Sequence, residues 1–261
     1  MHNKIYIFDV DGTLTPSRRP MTEDFLKFFN GWSKKNNFYL VSGSDLDKMK
    51  EQVPEFILER ANGLFTCGGN QFWKESNTKQ WPTDWKLIYE NKFEISTKLK
   101  NALEIILMSS QYPHRYGNHI EDRGSMLNFS VVGRNCNLEQ RQHYFEWDNK
   151  KGERKKLSLF IKHKFPELDA VIGGQISIDI APKGNDKSQV IDVIKKQPMR
   201  IIPRYEDKFI FIGDRTMEGG NDYPLAKVMK EMDNCEVYQA GEPSAEDGYK
   251  QTQKILKELD D

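Results

Sequence analysis

The 261-residue sequence predicts an α/β fold, a parallel sheet covered on both faces and interrupted by an inserted α+β unit. Three observations carry that expectation. Short apolar runs alternate with amphipathic segments at both ends of the chain; two of the runs stop abruptly at aspartates; and a middle block breaks the alternation.

Taken in order, residues 4–10 read as a buried strand, 22–30 as a helix, 38–41 as a second strand, 46–52 as a helix and 64–67 as a strand. The alternation resumes with a helix from Lys187, a strand over 209–212, a helix after Tyr223, a short strand over 235–239 and a terminal helix through Leu259. These segments, 1–83 and 183–261, are expected to form one core. The block between, 84–182, reads as a separate domain. Within it, 92–109 is expected as one helix, and 119–123 with 126–132 as strands around Gly124-Ser125. Residues 138–163 read as helical with Gly152 as an interruption, and 170–173 with 175–180 as a second strand pair.

Composition excludes several classes. Lys+Arg 39 against Asp+Glu 39 gives no net field, so neither nucleic acid nor an anionic membrane is an expected partner. Cys67, Cys136 and Cys235 are odd in number and unevenly spaced, which fits neither a zinc site nor a disulfide framework. The chain starts directly into a strand without a signal-peptide pattern, and no apolar run is of membrane-spanning length. A reducing cytoplasm is the expected location.

Chemistry concentrates at strand ends, where ligands of parallel sheets bind. The run Ile5-Tyr6-Ile7-Phe8 delivers Asp9 and Asp11 to the sheet rim, followed by Gly12-Thr13. Such a pair can hold a divalent cation, and one member can attack an electrophile. Ser42-Gly43-Ser44-Asp45 follows the second strand; either Ser42 or Ser44 could offer a hydroxyl to an anion, though the pattern also suits a turn with a helix cap. Lys187, before a helix, could neutralise that anion. Phe209-Ile210-Phe211-Ile212-Gly213-Asp214 repeats the strand-then-carboxylate pattern, with Asn221 and Asp222 close behind.

The stretch Asp9-Val10-Asp11-Gly12-Thr13-Leu14 resembles the first motif of the haloacid dehalogenase-like (HAD) superfamily. The resemblance implies a Rossmann-like core with an inserted C2-type cap, and phosphoryl transfer through an aspartyl-phosphate. It makes Asp9 the nucleophile, Asp11 the general acid/base, Lys187 the third-motif lysine, and Asp9, Asp11 and Asp214 the holders of Mg2+, with Asn221 and Asp222 in its immediate surroundings. Asp9 through Arg18, Met126-Leu127-Asn128, Gly133-Arg134, Leu138-Glu139-Gln140-Arg141, Gly173 through Asp179 and Gly213 through Asp222 are similar to the eukaryotic-type phosphomannomutases, in that family's order.

That closer resemblance implies that Arg18 contacts the sugar phosphate from the core and that Ser44 is the second-motif hydroxyl. Arg123, Arg134 and Arg141 would grip the distal phosphate from the cap. Asn128, Ser177 and Asp179, on the polar face of alternating strands, would hold sugar hydroxyls. Guanidinium forks suit phosphate and a neutral hexose ring offers only hydroxyls, so the division is chemically coherent. The implied activity interconverts mannose 6-phosphate and mannose 1-phosphate, primed by a hexose 1,6-bisphosphate, within GDP-mannose supply, in a homodimer formed through the cap. A Mg2+-dependent sugar-phosphate phosphatase is the alternative on the same fold. Two departures stand out. Tyr223-Pro224-Leu225 replaces the family's further ion-binding loop, and Ala181 and Asn185 replace aromatic residues.

Overall fold

A computed structural model describes residues 3–76, 83–196, 207–242 and 247–260. In chain order the elements are β1 (Lys4–Asp9), α1 (Glu23–Trp32), β2 (Asn37–Val41), α2 (Leu46–Gln52), α3 (Glu55–Leu58), β3 (Leu64–Thr66), β4 (Gln71–Glu75), β5 (Trp85–Glu90), α4 (Thr97–Ser109), β6 (Ile120–Asp122), β7 (Leu127–Phe129), α5 (Leu138–Lys151), α6 (Glu153–Lys164), β8 (Leu168–Gly173), β9 (Ser177–Pro182), α7 (Gln189–Lys196), β10 (Lys208–Gly213), α8 (Tyr223–Lys230), β11 (Cys235–Gln239) and α9 (Gly248–Asp260). The chain divides into two compact units, 1–90 with 186–261, and 91–185.

The first unit is built on a seven-stranded sheet in the order β11-β10-β1-β2-β3-β4-β5. The five strands from β11 to β3 are parallel; β4 and β5 continue the sheet antiparallel. Residues 85–90 thus belong to this sheet, which moves the first boundary from the expected 83/84 to 90/91. β1 lies at the centre because it is apolar on both faces. Tyr6 and Phe8 pack with Phe25, Phe29, Trp32 and Phe38 on one side, and Ile5 and Ile7 with Tyr39, Val190, Phe209 and Phe211 on the other. Edge-to-face contacts, Tyr6–Trp32 at 4.8 Å and Phe8–Phe29 at 5.6 Å, each add about 0.5–1.5 kcal/mol beyond burial. This packing fixes the strand whose end carries Asp9.

The inserted unit has a four-stranded antiparallel sheet, β6-β7-β9-β8. Leu127, Phe129, Ile178 and Ile180 enter an apolar cluster with Leu99, Leu103 and Ile106 of α4 and Ile161 of α6. α4 starts at Thr97, later than expected, because Ser96 caps it by accepting the Leu99 N–H at 3.2 Å. Asn137 and Gln140 form a reciprocal capping box on α5. Gly152, at φ 64°, ends α5 and starts α6, the interruption anticipated over 138–163. Residues 223–230, where the resembling family carries an ion loop, are helical here with Pro224 in the first turn.

Candidate active site

β1 and β10 are neighbours in register from Lys4↔Lys208 to Phe8↔Ile212, so Asp9 and Asp214 emerge side by side at their carboxyl ends. With Asp222, which precedes α8, they form a buried group whose ligand atoms all lie within 4.8 Å of one another. Lys187, 2 % exposed, donates to Asp9 Oδ1 at 2.5 Å and Asp222 Oδ1 at 2.6 Å. Asp222 Oδ2 accepts the Arg215 N–H at 3.0 Å. Two glycines permit this crowding. A Cβ on Gly12 would stand 2.6 Å from Asp214 Oδ2, and one on Gly213 would stand 2.6 Å from Asp222 Oδ2. Gly12 also adopts φ 79°, which a side chain resists.

Burial and the neighbouring Asp222 and Asp214 carboxylates raise the Asp9 pKa well above its ordinary value, against the opposing pull of Lys187. Burial works against the Lys187 charge, yet Asp222 and Asp9 outweigh it and hold the ammonium protonated. Lys187 bonds two of the three carboxylates, and Asn221 Oδ1 is buried without a hydrogen-bond partner. An oxygen-rich donor set of this kind fits a hard divalent cation such as Mg2+. Asp222 takes the place in this group that Asp11 was expected to fill. The Asp11 side chain turns elsewhere, its Oδ1 accepting from the Arg18 N–H at 2.7 Å and Gln52 Nε2 at 2.9 Å.

Arg18 is half-buried and left-handed at φ 57°, a strained conformation for a residue with a side chain. Ser42 Oγ accepts the Ser44 N–H at 3.0 Å, which uses that hydroxyl in shaping the loop; Ser44 itself is 8 % exposed. Asp45 caps α2 through the Lys48 N–H, so the turn-and-cap reading of this segment holds alongside any role in binding.

In the inserted unit, Glu121 joins two arginines. Its Oε2 lies 2.7 Å from Arg123 Nη2 and 3.2 Å from Arg134 Nε, and both guanidinium side chains are largely buried. Arg134 Nη1 reaches Ser177 Oγ at 3.4 Å. Asn128 and Asp179 face each other across the β7–β9 pair, and Asn128 Nδ2 donates to Asp179 Oδ1 at 2.5 Å. Asn128 Oδ1 is buried without a partner. Arg141 lies on α5, 6 % exposed. Sequence reasoning missed Glu121, although its two-residue spacing from Arg123 is that of side chains sharing a strand face. It also missed Gln52, whose link to Asp11 spans forty-one positions and leaves no local signal.

The parallel core, the paired carboxylates at adjacent strand ends, the buried lysine and the inserted α+β unit define a haloacid dehalogenase-like enzyme. The fold is similar to that of the C-terminal domain of trehalose-6-phosphate phosphatase from C. albicans, with TM-score 0.62 over 99% of this chain and 92% of that one, at 17% identity. The chain belongs to the eukaryotic phosphomannomutase family, whose model matches residues 25–258. It is 36% identical over 257 residues to a phosphomannomutase of Encephalitozoon cuniculi, covering 98% of this chain and 94% of that relative. It is 33% identical to a probable phosphomannomutase of Caenorhabditis elegans, covering 98% and 96%. No helix among the described residues is long and apolar enough to cross a membrane.

Proposed function

We propose that the protein interconverts mannose 6-phosphate and mannose 1-phosphate by carrying a phosphoryl group on Asp9, primed by a hexose 1,6-bisphosphate. The observation that carries this reading is the buried Asp9, seated between Lys187 and the Asp214/Asp222 carboxylates at a strand end. Asp9 attacks phosphorus, the bond from phosphorus to the sugar oxygen breaks, and Asp11 gives that oxygen its proton. In the second half-reaction Asp11 takes the proton of the other sugar hydroxyl, whose oxygen receives the phosphoryl group and frees Asp9.

Asp9, Asp214 and Asp222 would hold Mg2+, with Asn221 in its surroundings. When bound, the cation screens the charge between the nucleophilic carboxylate and the phosphate. Lys187 keeps Asp9 oriented, and Ser44 and Arg18 bind the phosphate on the core side. Arg123, Arg134 and Arg141 bind the second phosphate, while Asn128, Ser177 and Asp179 pair with ring hydroxyls; the unpartnered Asn128 Oδ1 supports a hydroxyl donor there. Phosphate affinity in both units is what a mutase needs, since its hexose must bind in two orientations. The Glu121 bridge supports the pairing of Arg123 with Arg134.

We place the protein in the cytoplasm, supplying mannose 1-phosphate for GDP-mannose synthesis, as a homodimer through the inserted unit. Exposed Ile105 and Met108 on α4, and Leu159 and Phe160 on α6, support that contact. The deciding experiment is a coupled assay on mannose 1-phosphate and glucose 1-phosphate, with and without hexose 1,6-bisphosphate, under Mg2+ titration. Bisphosphate-dependent isomerisation, with glucose phosphates as the slower pair, is expected. Release of inorganic phosphate at comparable turnover would instead make the protein a sugar-phosphate phosphatase.

A further inference from the structure

Lys187 is not part of the regular helix behind it. It sits in the turn before α7, and a buried ammonium on a turn needs the turn held still. Gln189 does part of this, its Nε2 donating to Asp186 O at 2.9 Å and to Asn70 Oδ1 at 3.2 Å. Asn70 is 1 % exposed and its Nδ2 donates to Cys67 O at 2.8 Å. The segment from Cys67 to Gly69 is tightly wound, with φ of 50°, 68° and 88° in succession. A left-handed conformation is costly for cysteine, and such strain persists only where the surroundings over-determine it.

Those surroundings are the loops of the core site. The Cys67 N–H donates to Ser44 O at 2.8 Å and the Gly68 N–H to Ser42 O at 2.9 Å. Gly69 lies against the Lys187 turn, where a Cβ would stand 3.0 Å from Val190 Cγ2 and 3.4 Å from Asp186 O. Tyr89 of β5 donates its hydroxyl to Gly69 O at 2.5 Å. One strained turn is thus bonded on one side to the Ser42–Ser44 loop and on the other, through Asn70 and Gln189, to the lysine turn.

We propose that Asn70 and Gln189 are positioning residues, and that the Cys67–Asn70 turn sets the placement of Lys187 against Asp9 relative to the Ser44 loop. Its kinetic consequence rests on the reading that Asp9 carries the phosphoryl group. The test is protection of Lys187 from an acylating reagent, followed by mass spectrometry, in the wild type, Asn70→Ala, Gln189→Ala and the double variant. Each protein is probed well below its thermal midpoint, with exposed Lys227 as the internal reference. Gln189 is half-buried, so its truncation leaves the fold standing if Asn70→Ala does not.

Lys187 acylation should rise about tenfold in each single variant and no further in the double, while kcat falls about 10- to 100-fold and KM for the hexose phosphate stays within about twofold. Lys187 protection equal to wild type in both single variants overturns the inference, as does an additive double variant. The protection result stands whatever the protein turns over. A wild type that accepts no phosphoryl group would therefore refute the proposed activity and leave the positioning result readable.

Discussion

The two units solve opposite electrostatic problems with the same device. In the core, two carboxylates of the Asp9/Asp214/Asp222 group bond one ammonium, Lys187; in the inserted unit, two guanidinium groups lie against one carboxylate, Glu121. In each cluster one side chain bridges two of the opposite charge. The core group is buried outright, whereas Glu121 keeps about a third of its side chain in solvent, at 32%. Such bridging fixes geometry, and under the proposed function the core cluster meets a cation and the inserted unit's cluster an anion.

The largest effect should come from removing the proposed nucleophile. Asp9→Asn keeps the shape of the site, and turnover is expected to fall by on the order of 10⁴-fold or more, measured by product formation from mannose 1-phosphate. Persisting turnover would detach the core cluster from the chemistry. Next is the ammonium bonded to Asp9 and Asp222. Lys187→Met leaves buried carboxylates without their partner and should destabilise the protein by about 3–5 kcal/mol in urea unfolding, with Asp222→Asn recovering part of the loss in that background.

Those two changes strike the core alone, and the cluster contrast requires that the inserted unit respond differently. Arg123→Gln should raise KM for the hexose phosphate about 10- to 100-fold, roughly 1.4–2.7 kcal/mol, and leave Mg2+-dependent stabilisation intact. That stabilisation is itself a test. The raised Asp9 pKa means that the metal-free fold favours the protonated acid, so its contribution is full below the unfolded value of 3.8 and is lost as pH rises through the folded one. Near neutral pH, Mg2+ at a hundred times its dissociation constant should add about 2.7 kcal/mol, a rise of roughly 5–10 °C in Tm. Asp214→Asn should remove that shift, and an unchanged shift would move the ion elsewhere. The smallest effect belongs to a glycine outside both clusters: Gly152→Ala, left-handed with no atom within 4 Å of the added carbon, should cost about 1 kcal/mol and no activity.

The core was legible because its pattern is local. An apolar run stopping at Asp9, and another at Asp214, say where the strands end without reference to anything distant. The sheet's far side was not: β4 carries Gln71, Lys74 and Glu75, and β5 lacks alternation, so neither reads as a strand until paired with its neighbour. The site followed the same division. Lys187, the strand-end aspartates and the nearness of Asp222 to the metal could be named, but the Gln52 link to Asp11 and the bonds of the Cys67–Asn70 turn to the Ser42–Ser44 loop and to Gln189 join distant segments. Only the tertiary structure creates them.

The strand order has a consequence for how the enzyme comes into being. β1 has β2 on one flank and β10, made much later in the chain, on the other. Its second flank stays bare until residues 208–213 are made, and pairings of such long sequence separation form slowly. The proposed nucleophile Asp9 is therefore made well before the strand beside it, so a chain interrupted between the two would carry Asp9 without Asp214 and Asp222.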